Sequence, residues 1–327
     1  MTDRIHWGIL GTGKIAREFA ASLRRLQDAE LLAVGSRSGN SADRFAGEFN
    51  IPRRFSSYEA LVADPDVRVI YVATPHSCHA DNTRLALTSG KAVLCEKPFT
   101  INAAEAHAVI GLARERKLFL MEAMWTRCFP LMAKLRELLA NGAIGEPRLL
   151  SADFGFRAEY AEERRLFGLE YGGGALLDVG VYPVSLASLL FGPPTKITGV
   201  ANIGPTGVDE EATMTLTHAG GRLAMLHTAI RIETAQEAII SGTRGRIRIH
   251  SPWWRPRVMT LSREGQPDER IEFPLTGSGY EYEAVEVMRC LRAGALESPL
   301  MPLDESLSIM RTLDSLRASW GLRYPSE

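Results

Sequence analysis

Two short segments carry side chains suited to proton transfer. Glu96-Lys97-Pro98 follows directly on the aliphatic run Ala92–Cys95, and Asp178 and Tyr182 stand four residues apart in Asp178-Val179-Gly180-Val181-Tyr182. A phenol, with an ordinary pKa of about 10, is a poor base at neutral pH unless a nearby cation favours its phenolate. A lysine can supply that charge. Residues four apart on a helix share one face, and Pro183 is tolerated only near a helix start, which places Asp178 and Tyr182 in the first turns. The set suits exchange of a proton with a hydroxyl or carbonyl oxygen: Tyr182 as general acid/base, Lys97 lowering its pKa and stabilising the oxygen, Asp178 orienting the pair or a substrate hydroxyl. His76, Cys78 and His79 suggest a metal at first sight, but zinc needs a third protein ligand and usually a fourth partner, and no clustered candidates follow. No metal is expected.

A second pattern lies at the other end of the chain. In Gly8-Ile9-Leu10-Gly11-Thr12-Gly13-Lys14-Ile15-Ala16, Gly11 permits a tight turn and Gly13 lets the backbone approach a pyrophosphate. Ala16 is small enough for close helix–strand packing where a third glycine often sits. The helix that follows offers free N–H groups to phosphates, so Gly11, Thr12, Gly13, Lys14 and Ile15 are the expected dinucleotide cradle. A site for NAD usually carries a carboxylate at the end of the second strand, whereas this chain reads Gly35-Ser36-Arg37-Ser38. Arg37 flanked by hydroxyls, Ser36 among them, suits a 2′-phosphate and so NADP. The plain alternative is a solvated surface arginine.

These residues need a scaffold, and the hydrophobic pattern supplies one. Up to residue 122, apolar runs at Ile5–Leu10, Leu31–Val34, Val69–Ala73, Ala92–Cys95 and Leu118–Met121 alternate with helical patterns at Lys14–Leu26, Ser41–Phe49, Tyr58–Ala63, Ala80–Ser89 and Ala103–Arg116. That alternation predicts an α/β, doubly wound parallel sheet of Rossmann type. Lys97 then leaves the fifth strand at its carboxyl end, where open α/β sheets bind ligands and where it can reach both the nicotinamide ribose and a substrate oxygen. From residue 123 onward, a helix (Leu131–Asn141) precedes strand-like runs at Arg148–Phe156, Lys196–Ile203, Ala212–His218, Arg222–Ile230, Glu237–Ser241, Arg246–His250, Val258–Ser262 and Arg270–Phe273. Helices are expected at Asp178–Leu190, Tyr280–Ala293 and Asp304–Ala318. The reading is an α+β domain with a large, mostly antiparallel sheet, and a division into 1–122 and 123–327.

Composition narrows the rest. The 327 residues exceed one average core, with 45% hydrophobic and 24% charged residues, so the chain reads as globular with two domains. A net charge of -1 argues against a broad nucleic-acid or membrane surface. The start, MTDRIHW, shows no basic region followed by an apolar stretch, and no uninterrupted apolar run approaches a membrane span. Cys78, Cys95, Cys128 and Cys290 are scattered, which suits free thiols in a cytoplasmic protein.

Three further segments complete a family pattern: Thr74-Pro75-His76-Ser77-Cys78-His79, Glu96-Lys97-Pro98, and Gly172-Gly173-Gly174 running on through Asp178 to Tyr182. With the glycine fingerprint, they make the chain resemble the glucose–fructose oxidoreductase and inositol dehydrogenase family over almost its whole length. Met121-Glu122-Ala123-Met124-Trp125-Thr126-Arg127 resembles the branch containing dimeric dihydrodiol dehydrogenase and NADP-dependent D-xylose 1-dehydrogenase. The resemblance implies that Thr74, Pro75, His76, His79, Glu96 and Lys97 run beside the nicotinamide half of NADP, and that Asp178 and Tyr182 line the substrate pocket. It also implies that Trp125 and Phe154 wall that pocket, although either reads equally well as a core aromatic. Arg127 would orient the cofactor or an acidic neighbour. Tyr182 stands where inositol dehydrogenases have histidine, which favours a small polyol, aldose or cyclic trans-diol as substrate. A homodimer formed through the open sheet face is a further implication.

Two other classes remain in view. An NADP-sensing scaffold would keep Gly11, Gly13 and Arg37 but has no need of Lys97 and Tyr182. An NAD-assisted glycoside hydrolase would pair Asp178 with Glu170 or Glu122 as its carboxylates.

Overall fold

The computed structural model describes residues 4–162 and 164–327; the first three residues of the N-terminal stretch lie outside it. The chain packs as two compact units.

The first unit begins with β1 (Ile5–Leu10), α1 (Lys14–Leu23), β2 (Ala29–Gly35), α2 (Gly39–Phe49), β3 (Arg53–Phe55), α3 (Tyr58–Val62) and β4 (Val69–Val72). It continues with α4 (His79–Thr88), β5 (Ala92–Glu96), α5 (Ala103–Arg116) and β6 (Leu120–Ala123). Among the described residues the sheet has the order β3-β2-β1-β4-β5-β6, with every neighbouring pair parallel. β4 and β5 are buried at every residue, as expected for strands covered by helices on both faces. Strand order reverses between β1 and β4, so the carboxyl ends of these two strands flank the switch point where such sheets bind ligands. Phe19 of α1 stacks on Tyr71 of β4 at 3.8 Å and tilts against Trp7 of β1 at 5.5 Å, locking helix to sheet. The pattern anticipated this architecture, and α5 matches its expected bounds residue for residue. β3 escaped it because Arg53-Arg54-Phe55 is too short and too polar to show a period.

The second unit contains α6 (Pro130–Ala140), β7 (Pro147–Gly155), a π-helical turn (Leu176–Gly180) and α7 (Val181–Phe191). There follow β8 (Pro194–Ile203), β9 (Asp209–His218), β10 (Arg222–Ala229), β11 (Ala238–Gly242), β12 (Gly245–Ile249), β13 (Val258–Arg263) and β14 (Glu269–Glu272). These strands form one sheet in the order β14-β13-β12-β11-β7-β10-β9-β8, antiparallel except for the β7–β10 pair. The turns at Ala219–Gly221 and Gly242–Gly245 close β9–β10 and β11–β12 as hairpins. The helical stretch Leu169–Phe191 is long and apolar enough, by length and composition, to cross a membrane, although Glu170 and Asp178 interrupt its apolar run. It is a core helix, with 83% of its most apolar window buried inside the protein.

The last two helices are α8 (Tyr280–Arg292) and α9 (Leu303–Trp320). The expected division at residue 122 is refined here: the first unit runs to Trp125 and also takes Thr276–Ser306, while Leu307–Glu327 belongs to the second. α8 docks on α1, with Arg25 donating to Thr276 O and the hydroxyls of Ser22 and Ser278 in hydrogen-bond contact. Its inner face buries Ala284, Val287, Met288 and Cys290. An amphipathic pattern reveals that a helix must be covered; it does not reveal by which unit.

Candidate functional site

Each unit carries candidate site residues of its own. In the first, Gly11 sits at φ +112, and a Cβ there would fall 2.7 Å from the carbonyl oxygen of Ala73, so the turn between β1 and α1 admits glycine alone. Gly13 is different: nothing lies within 4 Å of an added Cβ, which leaves open space in front of α1. The helix has no acid in its first turn and no side-chain cap, so its leading N–H groups are available to an anion. Thr12 and Ile15 are half-buried, Lys14 is exposed, and Ala16 is fully buried against the sheet. A dinucleotide pyrophosphate fits this cradle.

At the end of β2, Ser36 is buried and its Oγ accepts from Ser38 N at 3.3 Å, while Arg37 is exposed. Burial raises the pKa of the Tyr58 phenol on α3, and the nearby Arg37 charge works against that rise. Arg37→Ala is expected to weaken NADP binding by about 1.5–3 kcal/mol, the scale of one charged hydrogen bond, and to leave NAD binding nearly unchanged. Titration of the two dinucleotides checks this; equal losses would make Arg37 a structural residue.

The turn after β4 lies against the turn after β5. Thr74 Oγ1 accepts from Asn82 Nδ2 at 3.0 Å, and Pro75 leads into a single 3-10 turn, His76–Cys78. His76 is buried and meets His79 edge-on at 5.7 Å. The ring nitrogens of His79 face two carbonyls, Pro98 O at 2.8 Å and Thr74 O at 3.0 Å, so this residue ties the two turns together. Glu96 accepts from the Tyr71 hydroxyl and from Lys97 N, the latter at 3.2 Å. Lys97 itself is half-buried. Glu283 of α8 is fully buried; desolvation first, and then the Glu96 charge, push its pKa up. Glu122 is also fully buried and accepts from Phe99 N at 3.2 Å. Trp125 stacks on Tyr280 of α8, at 4.1 Å with 10° between the rings. Among the described residues, no group of three His, Cys, Asp or Glu side chains is placed to hold a metal.

In the second unit, Pro183 lacks the N–H that an α-helix requires and would crowd the carbonyl four residues back, at Val179. The π-helical turn at Leu176–Gly180 accommodates that demand, and it carries Asp178 one turn before Tyr182. Both side chains are buried, at 9% and 6% exposure. Phe154 of β7 lies 5.3 Å from the Tyr182 ring and stacks on Trp254 at 4.8 Å with the planes 1° apart. Trp254 is held by its Nε1 donating to Gln236 Oε1 at 3.0 Å, and Trp253 Nε1 donates to Asp153 O at 2.6 Å. Arg127 is buried and bonds Ser185 through both Oγ (3.0 Å) and O (2.7 Å), bracing α7 three residues beyond Tyr182. Asp178 Oδ1 accepts from the Arg165 guanidinium at 2.8 Å.

Asp209 secures the start of this helical stretch. Its Oδ2 accepts from Leu176 N at 2.6 Å, and Gly174, at φ +111, leaves the carboxylate room that any Cβ would occupy. Burial raises the Asp209 pKa to about 7, against the pull of the Leu176 N–H. A carboxyl group raised in this way gives the folded state stability that is fully present below about pH 3.8 and lost as pH climbs to about 7. The difference corresponds to on the order of 4 kcal/mol. Thermal unfolding across pH 4–8 is expected to show that decline, and Asp209→Asn to flatten it; an unchanged slope would remove Asp209 as its source.

The sequence reading missed Tyr58, Arg165, Asp209, Trp254 and Tyr280. The Trp253-Trp254 pair was visible as a possible aromatic wall. Arg165 sits among charged residues that look like an ordinary solvated loop.

Two family models match the chain. Residues 5–124 match the family described as "Oxidoreductase family, NAD-binding Rossmann fold", and residues 132–248 match "GFO/IDH/MocA C-terminal domain". The trans-1,2-dihydrobenzene-1,2-diol dehydrogenases of Mus musculus and Homo sapiens are 39% and 38% identical to this chain, with 99% of each partner covered in both comparisons. The 3-ketoreductase KijD10 of Actinomadura kijaniata, in complex with NADP and TDP-benzene, superimposes with a TM-score of 0.87 at 27% identity, covering 97% of this chain and 98% of that one. An aldose-aldose oxidoreductase from Caulobacter crescentus shares the fold, with a TM-score of 0.88 at 23% identity over 97% of both chains. The fold and cradle define a dinucleotide-dependent oxidoreductase. The chain belongs to the GFO/IDH/MocA oxidoreductase family.

Proposed function

We propose that this protein is an NADP-dependent dehydrogenase or reductase acting on a CH–OH group of a small polyol, an aldose or a cyclic trans-diol. The observation that carries the reading is the buried Tyr182 phenol beside the Phe154–Trp254 stack, with a carboxylate one turn before it on the same helix. A flat ring or sugar face suits the stacked aromatics, and vicinal hydroxyls suit the phenol and carboxylate. The dihydrodiol dehydrogenases and the NADP-bound ketoreductase among the similar proteins point to the same class.

Gly11, Gly13 and the start of α1 would hold the pyrophosphate, with Ser36 and Arg37 on the 2′-phosphate. The nicotinamide ring, when bound, takes or gives a hydride at C4. Tyr182 carries the proton of the reacting oxygen. Lys97 supplies the positive charge that favours the phenolate and the developing oxyanion. Asp178 accepts from a neighbouring substrate hydroxyl. Neither carboxylate that a hydrolase would pair with Asp178 favours that role: Glu170 is exposed, and Glu122 is wholly buried and accepts from Phe99 N.

The test is reduction of free NADP against a panel of pentoses, cyclic trans-diols and simple alcohols, followed by NADPH absorbance. Turnover with the first two groups supports the reading. NADP reduction with none of them would remove it, and a cofactor that stays bound while a glycoside is cleaved would establish the hydrolase instead.

The quaternary state we propose is a homodimer joined by the outer face of the eight-stranded sheet, where Val200, Leu223 and Met225 are 69%, 40% and 54% exposed. Sedimentation equilibrium measures this, and a monomer at all concentrations would contradict it. Among the described residues none of Cys78, Cys95, Cys128 and Cys290 is in a disulfide, which supports a cytoplasmic location, tested by fractionating cells that express the tagged chain.

A further inference from the structure

The triple glycine before the substrate helix has a structural purpose that involves a residue outside the family pattern. Residues 164–174 form a tight turn, with Phe167 N and Gly168 N both donating to Arg164 O at 3.0 Å. Phe167 is fully buried and anchors the turn. Tyr160 meets its ring edge-on at 5.0 Å, and the Arg231 guanidinium lies over both rings, at 4.7 Å from Tyr160 and 5.9 Å from Phe167. Gly173 N donates to Gly168 O at 3.1 Å and Gly174 N to Leu166 O at 2.9 Å, so the glycines lie directly on the turn's backbone. A Cβ on Gly173 would fall 2.6 Å from Leu166 O, 2.8 Å from Arg165 O and 2.9 Å from Gly168 O. From the other side, the Tyr324 hydroxyl donates to Gly173 O at 2.7 Å. This close approach brings Arg165 onto Asp178. The guanidinium nitrogen lies 2.8 Å from Oδ1, with the arginine side chain 42% and the aspartate side chain 12% exposed.

We infer that Arg165 is a positioning residue for substrate recognition: its guanidinium fixes the direction of the Asp178 carboxylate, which then accepts from a substrate hydroxyl. A carboxylate has about four acceptor sites, so engagement by arginine leaves capacity for a hydroxyl. An arginine fork holds one carboxylate orientation in a way that a lysine's point charge does not. Asp178 thereby serves as a fixed acceptor, and proton transfer stays with Tyr182. The inference rests on the dehydrogenase reading above.

Arg165→Met is expected to raise KM for a diol or pentose about 10- to 100-fold, the scale of one charged hydrogen bond, with kcat and NADP affinity changed little. Arg165→Lys should recover part of the loss, and added guanidinium ion should partly rescue Arg165→Ala. In an Asp178→Asn background, Arg165→Met should have almost no further effect on KM, because the pair acts as one unit. A merely structural arginine would lower the unfolding temperature without the split between KM and kcat and without guanidinium rescue. If the unaltered protein turns over diols and Arg165→Met leaves KM unchanged, the inference fails alone. If the unaltered protein turns over no hydroxylated substrate, the dehydrogenase reading fails and the inference falls with it.

Discussion

Tyr182→Phe is expected to lower kcat by at least about 10²-fold while NADPH affinity stays close to that of the unaltered protein, the usual scale for loss of a general acid/base. The substitution is mild in packing. The ring stays against Phe154, and only the hydroxyl is removed from a side chain already 94% covered, with 6% exposed. Lys97→Met is expected to have an effect of the same size on the proposed reading, in which the lysine supplies the charge that stabilises the reacting oxygen. Steady-state kinetics together with NADPH titration separates the chemical step from cofactor binding. Near-normal turnover in Tyr182→Phe would remove the acid/base assignment. If only Lys97 mattered, the lysine would take over as proton carrier.

A substrate lacking one vicinal hydroxyl is expected to lose about 10⁴-fold in kcat/KM relative to its parent diol, since a site built around a hydroxyl leaves its own buried polar groups unpaired when that hydroxyl is missing. Asp178, paired with Arg165 at 2.8 Å, is the group left without its substrate partner. An apolar pocket behaves differently: a small alteration in hydrocarbon costs only about 10- to 200-fold. Comparing a cyclic trans-diol or D-xylose with the monodeoxy compound, and both with ethanol, therefore measures which kind of pocket this is. Similar kcat/KM values across the three would show that it is not made for polyols, while leaving the cofactor site intact.

The doubly wound sheet was legible because its signals are local. Aliphatic runs alternate with helical periods, and the Gly11–Gly13 turn falls between the first strand and the first helix, where φ +112 at Gly11 makes glycine obligatory. What escaped depends on contacts distant in sequence. Thr276–Ser306 joins the first unit because the buried face of α8 meets α1 more than 250 residues earlier, information that no local period contains. The parallel β7–β10 pair inside an otherwise antiparallel sheet is equally non-local. At the site, the Asp178–Tyr182 spacing survived even though the helix there is a π-turn, since Pro183 shifts the backbone without removing the shared face. The resemblance grouped Trp125 with Phe154 as one wall. In the structure Trp125 stacks on Tyr280 in the first unit, and Phe154 finds Trp254 in the second. Arg165 was hidden because a charged loop residue shows its partner only once Gly173 lets two backbones touch.

The central claim is that hydride passes between a substrate carbon and the nicotinamide. It is tested most directly with a cyclic trans-diol deuterated at its carbinol carbons, incubated with the purified protein and NADP. The account predicts NADPH carrying one deuterium at C4 and a slower rate than with the unlabelled diol if hydride transfer limits turnover. NADPH formed without deuterium, or no reduction of NADP by any diol or pentose, would contradict it.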